Sequence, residues 1–397
     1  MQDPTDPAVL SGSPYHMLTH LAKLGAEVVP IFPITTDQTT LFLSQLRARL
    51  PTALKRNHRV KAMWKSMQQG TALIRSRVDS HDQFAKNVNR ANAIGQELSQ
   101  QLASLDNKVD VLFGVCISTP LYALNTDLPI VYFSDATARL LQQTYPEYQK
   151  QPAGTKRAGE MFEQSALGRI FAGIFPSDAT LNSAVEHYGL PKERAHLVPM
   201  GSSVVPNEHD SIAPDLPTRE RLELIIVAAD PIRKRLDLCV DVTKILAARG
   251  WNVTLHSIGG STPSARKCDR VRVHGRLSLA DPIDRDIHKA MLRRSHFMLL
   301  PSLGEMFGIA PGEAAHFGRP SLVSATGGLT TVVQHGKTGL CLPVDAPPEH
   351  YADEIERISN KPALYRAMSD AALERARTVL NWEQCAKSTL RILYKAA

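Results

Sequence analysis

The chain has 397 residues, too many for one compact core and about right for two domains of ordinary size. Its 43% hydrophobic and 21% charged residues are those of a soluble globular protein and exclude a disordered, collagenous or coiled-coil chain. The net charge of +7 is unevenly spread: between Leu46 and Arg90, eleven Lys and Arg residues against two acids give +9, which leaves −2 for everything else.

At the amino terminus, MQDPTDPAVLSGSPY has no basic stretch followed by an apolar one, and nowhere do about 18 apolar residues run uninterrupted. Neither a secretion signal nor a transmembrane helix is expected. Five scattered cysteines without a CxxC pair suit neither a zinc site nor a disulfide framework, which points to a reducing, cytoplasmic location. The first strand candidate is Ala26–Phe32. Only ten residues precede Ser11, so the hydrophobic strand that usually opens a doubly wound domain is missing. Either the true start lies upstream, or the chain has lost a central strand.

Residues 36–105 are helical in pattern and too long for a single crossover, and are expected to form an insertion of several helices that holds the basic segment. Such a face can attract anionic lipid, a phosphorylated acceptor or nucleic acid, or can simply be solvated. Trp64 and Phe84 stand alone there, so base stacking is a poor prospect and nucleic acid ranks third. Short apolar runs then alternate with helical patterns, the signature of βα units and parallel sheets. In the first half the candidates are Val109–Gly114, Ile130–Phe133, Ile170–Pro176 and His196–Pro199. In the second they are Leu222–Ala228, Asn252–Ile258, Val271–His274, Phe297–Pro301, Ser321–Ser324 and Gly339–Leu342. Between them the Pro-rich, aperiodic Val204–Thr218 reads as a linker, giving domains 1–210 and 211–380. Residues 381–397 give a terminal helix whose apolar face is expected to use Trp382, Cys385, Leu390, Leu393 and Tyr394.

The run LLPSLGEMFGIAPGEAAHFGRP, residues 299–320, carries the chemistry. A strand ends at Pro301, a glycine-punctuated loop follows, and a helix is expected from near Pro311 to Gly318. Amides at Phe307, Gly308 and Ile309 would form an anion site at that junction, with phosphate the natural occupant. Glu305 and Glu313 flank it, and each carboxylate can accept two hydrogen bonds from vicinal hydroxyls. A nucleotide sugar satisfies all three demands.

In Pro301-Ser302, Glu305, Phe307, Gly308 and Glu313 the sequence resembles the retaining GT-B glycosyltransferases of family 4, whose signature is E-x-F-G-x-x-x-x-E after a strand ending in Pro-Ser. Gly327-Gly328, the hairpin-like Gln334–Leu340, Ile258-Gly259-Gly260 and Val273–Leu277 resemble further loops of that family. So does Leu10–Met17, with Gly12 as the residue of close approach. The resemblance implies an α/β fold of two doubly wound Rossmann-like domains facing across a cleft, with the terminal helix crossing back to the first. It implies retaining transfer from a nucleotide-diphosphate sugar, without a cofactor or bound metal. Glu305 would hold the donor sugar and Glu313 the ribose. Lys234, Met306, Phe307, Gly308, Ile309, Gly259 and Gly12 would hold the rest of the donor. The family's diphosphate-binding Arg is replaced by Ala229, so Arg233 or Arg235 would have to supply the second charge. Asp135 stands where many members have a His near the reacting carbon. It would orient the acceptor or stabilise charge on the sugar, or else cap the helix that follows. The basic segment 46–90 favours an anionic or lipid-linked acceptor and peripheral contact with the inner membrane surface. The alternatives are a sugar-nucleotide epimerase and a truncated or non-catalytic member.

Overall fold

A computed structural model of the chain describes residues 13–29, 31, 83–105, 109–207 and 215–397. Gly12, residues 46–82 of the basic segment, most of the insertion and the expected boundary at 210 lie outside the described residues. Within them the chain builds two parallel sheets. The first is ordered β1-β2-β3-β4, from Leu112–Val115, Ile130–Phe133, Ala172–Phe175 and Ala195–Leu197. The second contains β5 Leu222–Ala228, β6 Val253–Gly259, β7 Val271–Gly275, β8 Phe297–Leu300, β9 Ser321–Ser324 and β10 Gly339–Leu342. Its order is β10-β9-β8-β5-β6-β7.

The strands form where the sequence offers near-continuous apolar runs, because a parallel sheet is covered by helices on both faces. In β5, LELIIVA, Leu222, Leu224 and Ile226 face one core with Trp251, Leu255 and Phe297, while Ile225 faces another with Ile258, Met298 and Phe317. Glu223 breaks the pattern, and its buried carboxylate is matched by His256 Nε2 at 2.9 Å and Arg294 Nη2 at 2.8 Å.

Of the expected strand Ala26–Phe32, the described residues 26–29 and 31 carry no strand pairing. Ala26 and Val28 pack against the core that holds Val131, Phe133 and Ile174, but β1 pairs with β2 alone among the described strands. A parallel strand exists by virtue of its ladder, which apolar alternation does not by itself supply. Of the insertion, Gln83–Ala103 is a helix packed on Ser118–Tyr122 and Ala153–Arg169.

The terminal helix Trp382–Ala396, capped by Asn381, packs on the Ser13–Lys23 helix and against β2 and β3. Its buried face is Trp382, Cys385, Ala386, Thr389, Ile392 and Leu393. Tyr394, expected on that face, is 70% exposed. The 3.6-residue period carries the stripe through 389 and 392–393, and 394 falls beside it. Trp382 stacks on His16 at 5.4 Å between ring centroids. No described helix is long and apolar enough to cross a membrane.

Candidate active site at the switch point of the second sheet

The order of the second sheet reverses between β5 and β8. In an open α/β sheet the crevice for a ligand opens at such a reversal, beyond the carboxyl ends of the strands. The loops after Ala228 and Leu300 therefore share one crevice, and Leu303 N–H stitches them together by donating to Arg233 O at 2.9 Å.

Arg233, Lys234 and Glu305 converge there. The Arg233 Nη1 atom donates to Glu305 Oε1 at 2.8 Å, to Gly304 O at 2.5 Å and to Ser302 Oγ at 3.4 Å. Lys234 Nζ lies 3.5 Å from the same carboxylate oxygen and donates to Val227 O at 3.1 Å. Arg235 turns away: its backbone is left-handed at φ 55°, and its guanidinium donates to Val344 O at 2.5 Å. Of the two arginines open to the role in the sequence, Arg233 is the one that reaches the Glu305 carboxylate.

Glu305 and Met306, Phe307 and Gly308 beyond it are all buried. Gly308 has φ 90° and begins a helix at Ile309–His316, two residues earlier than Pro311 suggests. Proline's missing N–H is tolerated there because the first-turn donors have no intrahelical acceptor. Gly327 is required by close approach: a Cβ at that position would overlap the Glu305 carbonyl oxygen. Gly328 N–H donates to that oxygen at 3.1 Å, so the second glycine loop braces the first. Gly259 ends β6 with φ 115°, and a Cβ there would overlap the Ala228 carbonyl.

Glu313 sits in the second turn of the helix and is 4% exposed. Burial pushes its carboxyl up to about 7, against the charge of Lys234 and the N–H of Val204, which both favour ionisation. His288 Nε2 stands 3.8 Å from Glu313 Oε2, too far for a hydrogen bond.

The first domain contributes Asp135, beyond the end of β2. It does not cap the next helix: Thr137 does, its side chain accepting from Leu140 N–H, and Ala138–Thr144 follows. A cap must lie immediately before the first helical turn, and Asp135 is two residues too early. Its Oδ1 instead accepts weakly from Cys116 Sγ at 3.5 Å, and its carbonyl accepts from Thr180 Oγ1 at 2.6 Å. Burial raises both the Asp135 carboxyl and the Cys116 thiol above their ordinary values.

One residue at the crevice escaped sequence reasoning. Tyr145, at the end of the Ala138–Thr144 helix, lays its ring 5.0 Å from the Arg233 guanidinium, and its hydroxyl accepts the N–H of Met306. Thr144 beside it packs on Gly304, where a Cβ would overlap its methyl. The charges of Glu305 and Asp135 both act on the phenol, which therefore stands between the two halves of the site. No local pattern marks Tyr145, since its partners Arg233 and Met306 lie 88 and 161 residues further along the chain. Among the described residues, no three His, Cys, Asp or Glu side chains converge as a metal ion would require.

Residues 221–361 match the family described as glycosyl transferases group 1. A D-inositol 3-phosphate glycosyltransferase of Nocardioides sp. is 28% identical over 234 residues, 56% of this chain and 46% of that protein. The chain spans about half the length of the curated relatives it matches. Among solved structures, a sucrose-phosphate synthase from Thermosynechococcus elongatus superposes with a TM-score of 0.57 at 19% identity, over 76% of this chain and 79% of that one. The Anabaena protein HepE, solved with UDP and glucose, gives 0.53 at 15% identity, over 76% and 82%. The fold is GT-B: two Rossmann-like α/β domains, as in these solved structures.

Proposed function

We propose, on a match of residues 221–361 to the glycosyl transferases group 1 family, that the protein transfers a sugar from a nucleotide-diphosphate donor to an acceptor hydroxyl with retention at the anomeric carbon. The observation that carries the reading is the convergence of Arg233, Lys234, Glu305 and the Met306–Ile309 helix start at the β5/β8 switch point. Two cations and a helix amino terminus suit a diphosphate, and carboxylates on either side suit a sugar and a ribose.

In this reading the bond between the anomeric carbon and the β-phosphate oxygen breaks, and its electron pair leaves with the nucleoside diphosphate. The acceptor oxygen bonds to the same face of that carbon, and its proton passes to the departing phosphate oxygen. Arg233, Lys234 and the amides from Phe307 onward offset the charge that develops on the leaving group, the task a bound metal performs elsewhere. Glu305 orients the sugar hydroxyls after its cations turn to the phosphate, and Glu313 holds the ribose. Asp135 stands on the acceptor side, where its raised affinity for a proton suits a contact with a hydroxyl rather than with a phosphate.

The acceptor we assign to the anionic class, on the +9 carried by residues 46–90, with peripheral attachment at an anionic membrane surface as the corresponding location. Co-sedimentation with vesicles of phosphatidylglycerol against phosphatidylcholine tests this part, and equal binding to both would remove it. The central reading is tested by a donor screen in EDTA with UDP-, GDP-, ADP- and dTDP-sugars, wild type beside Glu305→Ala. Selective nucleoside diphosphate release that depends on Glu305 is expected. Silence of the wild type toward every donor would refute it.

A further inference from the structure

His288 lies on the Pro282–Arg294 helix, 3% exposed, and its Nε2 has no hydrogen-bond partner. A buried imidazole nitrogen left unpaired costs about 1–3 kcal/mol, so its retention calls for a reason. The polar atom it faces is Glu313 Oε2, 3.8 Å away and equally buried. The two groups sit one short side-chain movement from a hydrogen bond. The other groups acting on the Glu313 carboxyl are the Lys234 ammonium, from the loop after β5, and the Val204 N–H, from the segment that joins the domains.

We propose that His288 is a positioning residue for Glu313: when a ribose enters, Nε2 closes on Oε2 and fixes the carboxylate so that its remaining lone pairs accept the 2′ and 3′ hydroxyls. The inference rests on the nucleotide-sugar reading above. Imidazole suits the task because Nε2 donates in one neutral tautomer and accepts in the other, so it can pair with the carboxyl whether ionised or protonated. Lysine or arginine has no acceptor for the O–H of the protonated form. Burial holds His288 down at about 4, so it is neutral throughout the working range. Burial holds Glu313 up at about 7, so near neutrality the carboxyl is poised between its two forms. A diol donates both protons best to the ionised form, and a donor at Nε2 favours that form.

The test measures nucleotide-sugar affinity by calorimetry between pH 5.5 and 8.5 for wild type, His288→Leu and His288→Gln. The ligand is whichever of UDP-, GDP- and ADP-glucose the wild type binds most tightly. A diphosphate diester does not titrate in this range, so the profile reports the protein. Wild-type affinity is expected to rise with pH through about 7. His288→Leu is expected to weaken binding about tenfold at pH 7, the size of one hydrogen bond to a charged group, and to move the midpoint upward. In His288→Gln an amide occupies the place of Nε2 and should restore most of both. Unchanged affinity and midpoint in His288→Leu would overturn the proposal. So would equal losses in both variants with the midpoint fixed, since that is the mark of a packing role. A wild type that binds none of the three ligands would instead defeat the nucleotide-sugar reading, and this inference with it.

Discussion

In the crevice Glu305 pairs with the two cations that the proposed reaction assigns to the diphosphate. Arg233 lies 2.8 Å and Lys234 3.5 Å from the same oxygen, with both side chains at most 16% exposed. A nucleoside diphosphate lacking its sugar must compete with that carboxylate and gains nothing from it. At an effective dielectric of about 20, a carboxylate and a phosphate about 6 Å apart repel by about 3 kcal/mol. Reordering two freed side chains takes back about 1–2 kcal/mol of this. Glu305→Gln is therefore expected to bind nucleoside diphosphate about five- to thirtyfold more tightly while losing sugar transfer about a hundredfold or more, since the sugar hydroxyls lose their charged acceptor. Calorimetry with UDP, GDP and ADP gives the first quantity and single-turnover transfer the second. Weaker diphosphate binding in Glu305→Gln would refute the reasoning: it would mean that Arg233 and Lys234 are structural partners of Glu305 and not ligands of the phosphates.

Three further outcomes are expected. Burial disfavours the ionised Glu223 carboxyl, but the hydrogen bonds from His256 and Arg294 outweigh it and hold the group at about 2. A depressed carboxyl stabilises the fold above its unfolded value near 4.3 and loses that contribution as pH falls toward 2, about 3 kcal/mol in all. Glu223→Gln should flatten the acid limb of a Tm-against-pH curve, and an unaltered slope between pH 5 and 2 would contradict this. Gly327→Ala forces a methyl onto the Glu305 carbonyl at a backbone of φ 50° and should cost about 2–4 kcal/mol, read by denaturant unfolding, with transfer lost beyond what the stability change explains. Tyr145→Phe removes the hydroxyl that accepts the Met306 N–H. With that amide released to the donor, donor KM should fall about two- to fivefold and Tm by about 1–3 °C, whereas a raised KM would make the phenol a donor ligand.

The second domain was the more legible half because its strands are buried on both faces and read as unbroken apolar runs, as in LELIIVA of β5 and FMLL of β8. The Glu305–Glu313 spacing was legible for a different reason: a strand end, a tight glycine loop and a helix start are all local, so the sequence records them side by side. What the sequence could not disclose arises across the fold. Tyr145 meets Arg233 and Met306 only because two sheets face one another, and His288 meets Glu313 only because two helices share a face of β5. The strand expected at Ala26–Phe32 is of the same kind: its described residues alternate in exposure, but they carry no ladder, and pairing is not recorded in a local pattern.

The helix Ile309–His316 is gripped by both crossings between the domains, and this bears on how the site would close. On the outward crossing, Val204 N–H donates to Glu313, and Ser202 Oγ sits where a Cβ on Gly312 would press against it. On the return, Leu380 O pairs with His316 Nε2 at 3.0 Å, and Trp382 covers Gly201, which leaves no space there for a side chain. Tyr145 and Thr144 hold the loop before the helix from the first domain. A rotation of one domain against the other must pass through these contacts, because interiors packed at crystal density transmit displacement rather than absorb it. The hinge therefore touches the carboxylate that we assign to the ribose. Occupancy of the nucleotide site and the angle between the domains are then two readings of one set of contacts, and a substitution at Ser202 or Leu380 should alter donor affinity without touching the donor.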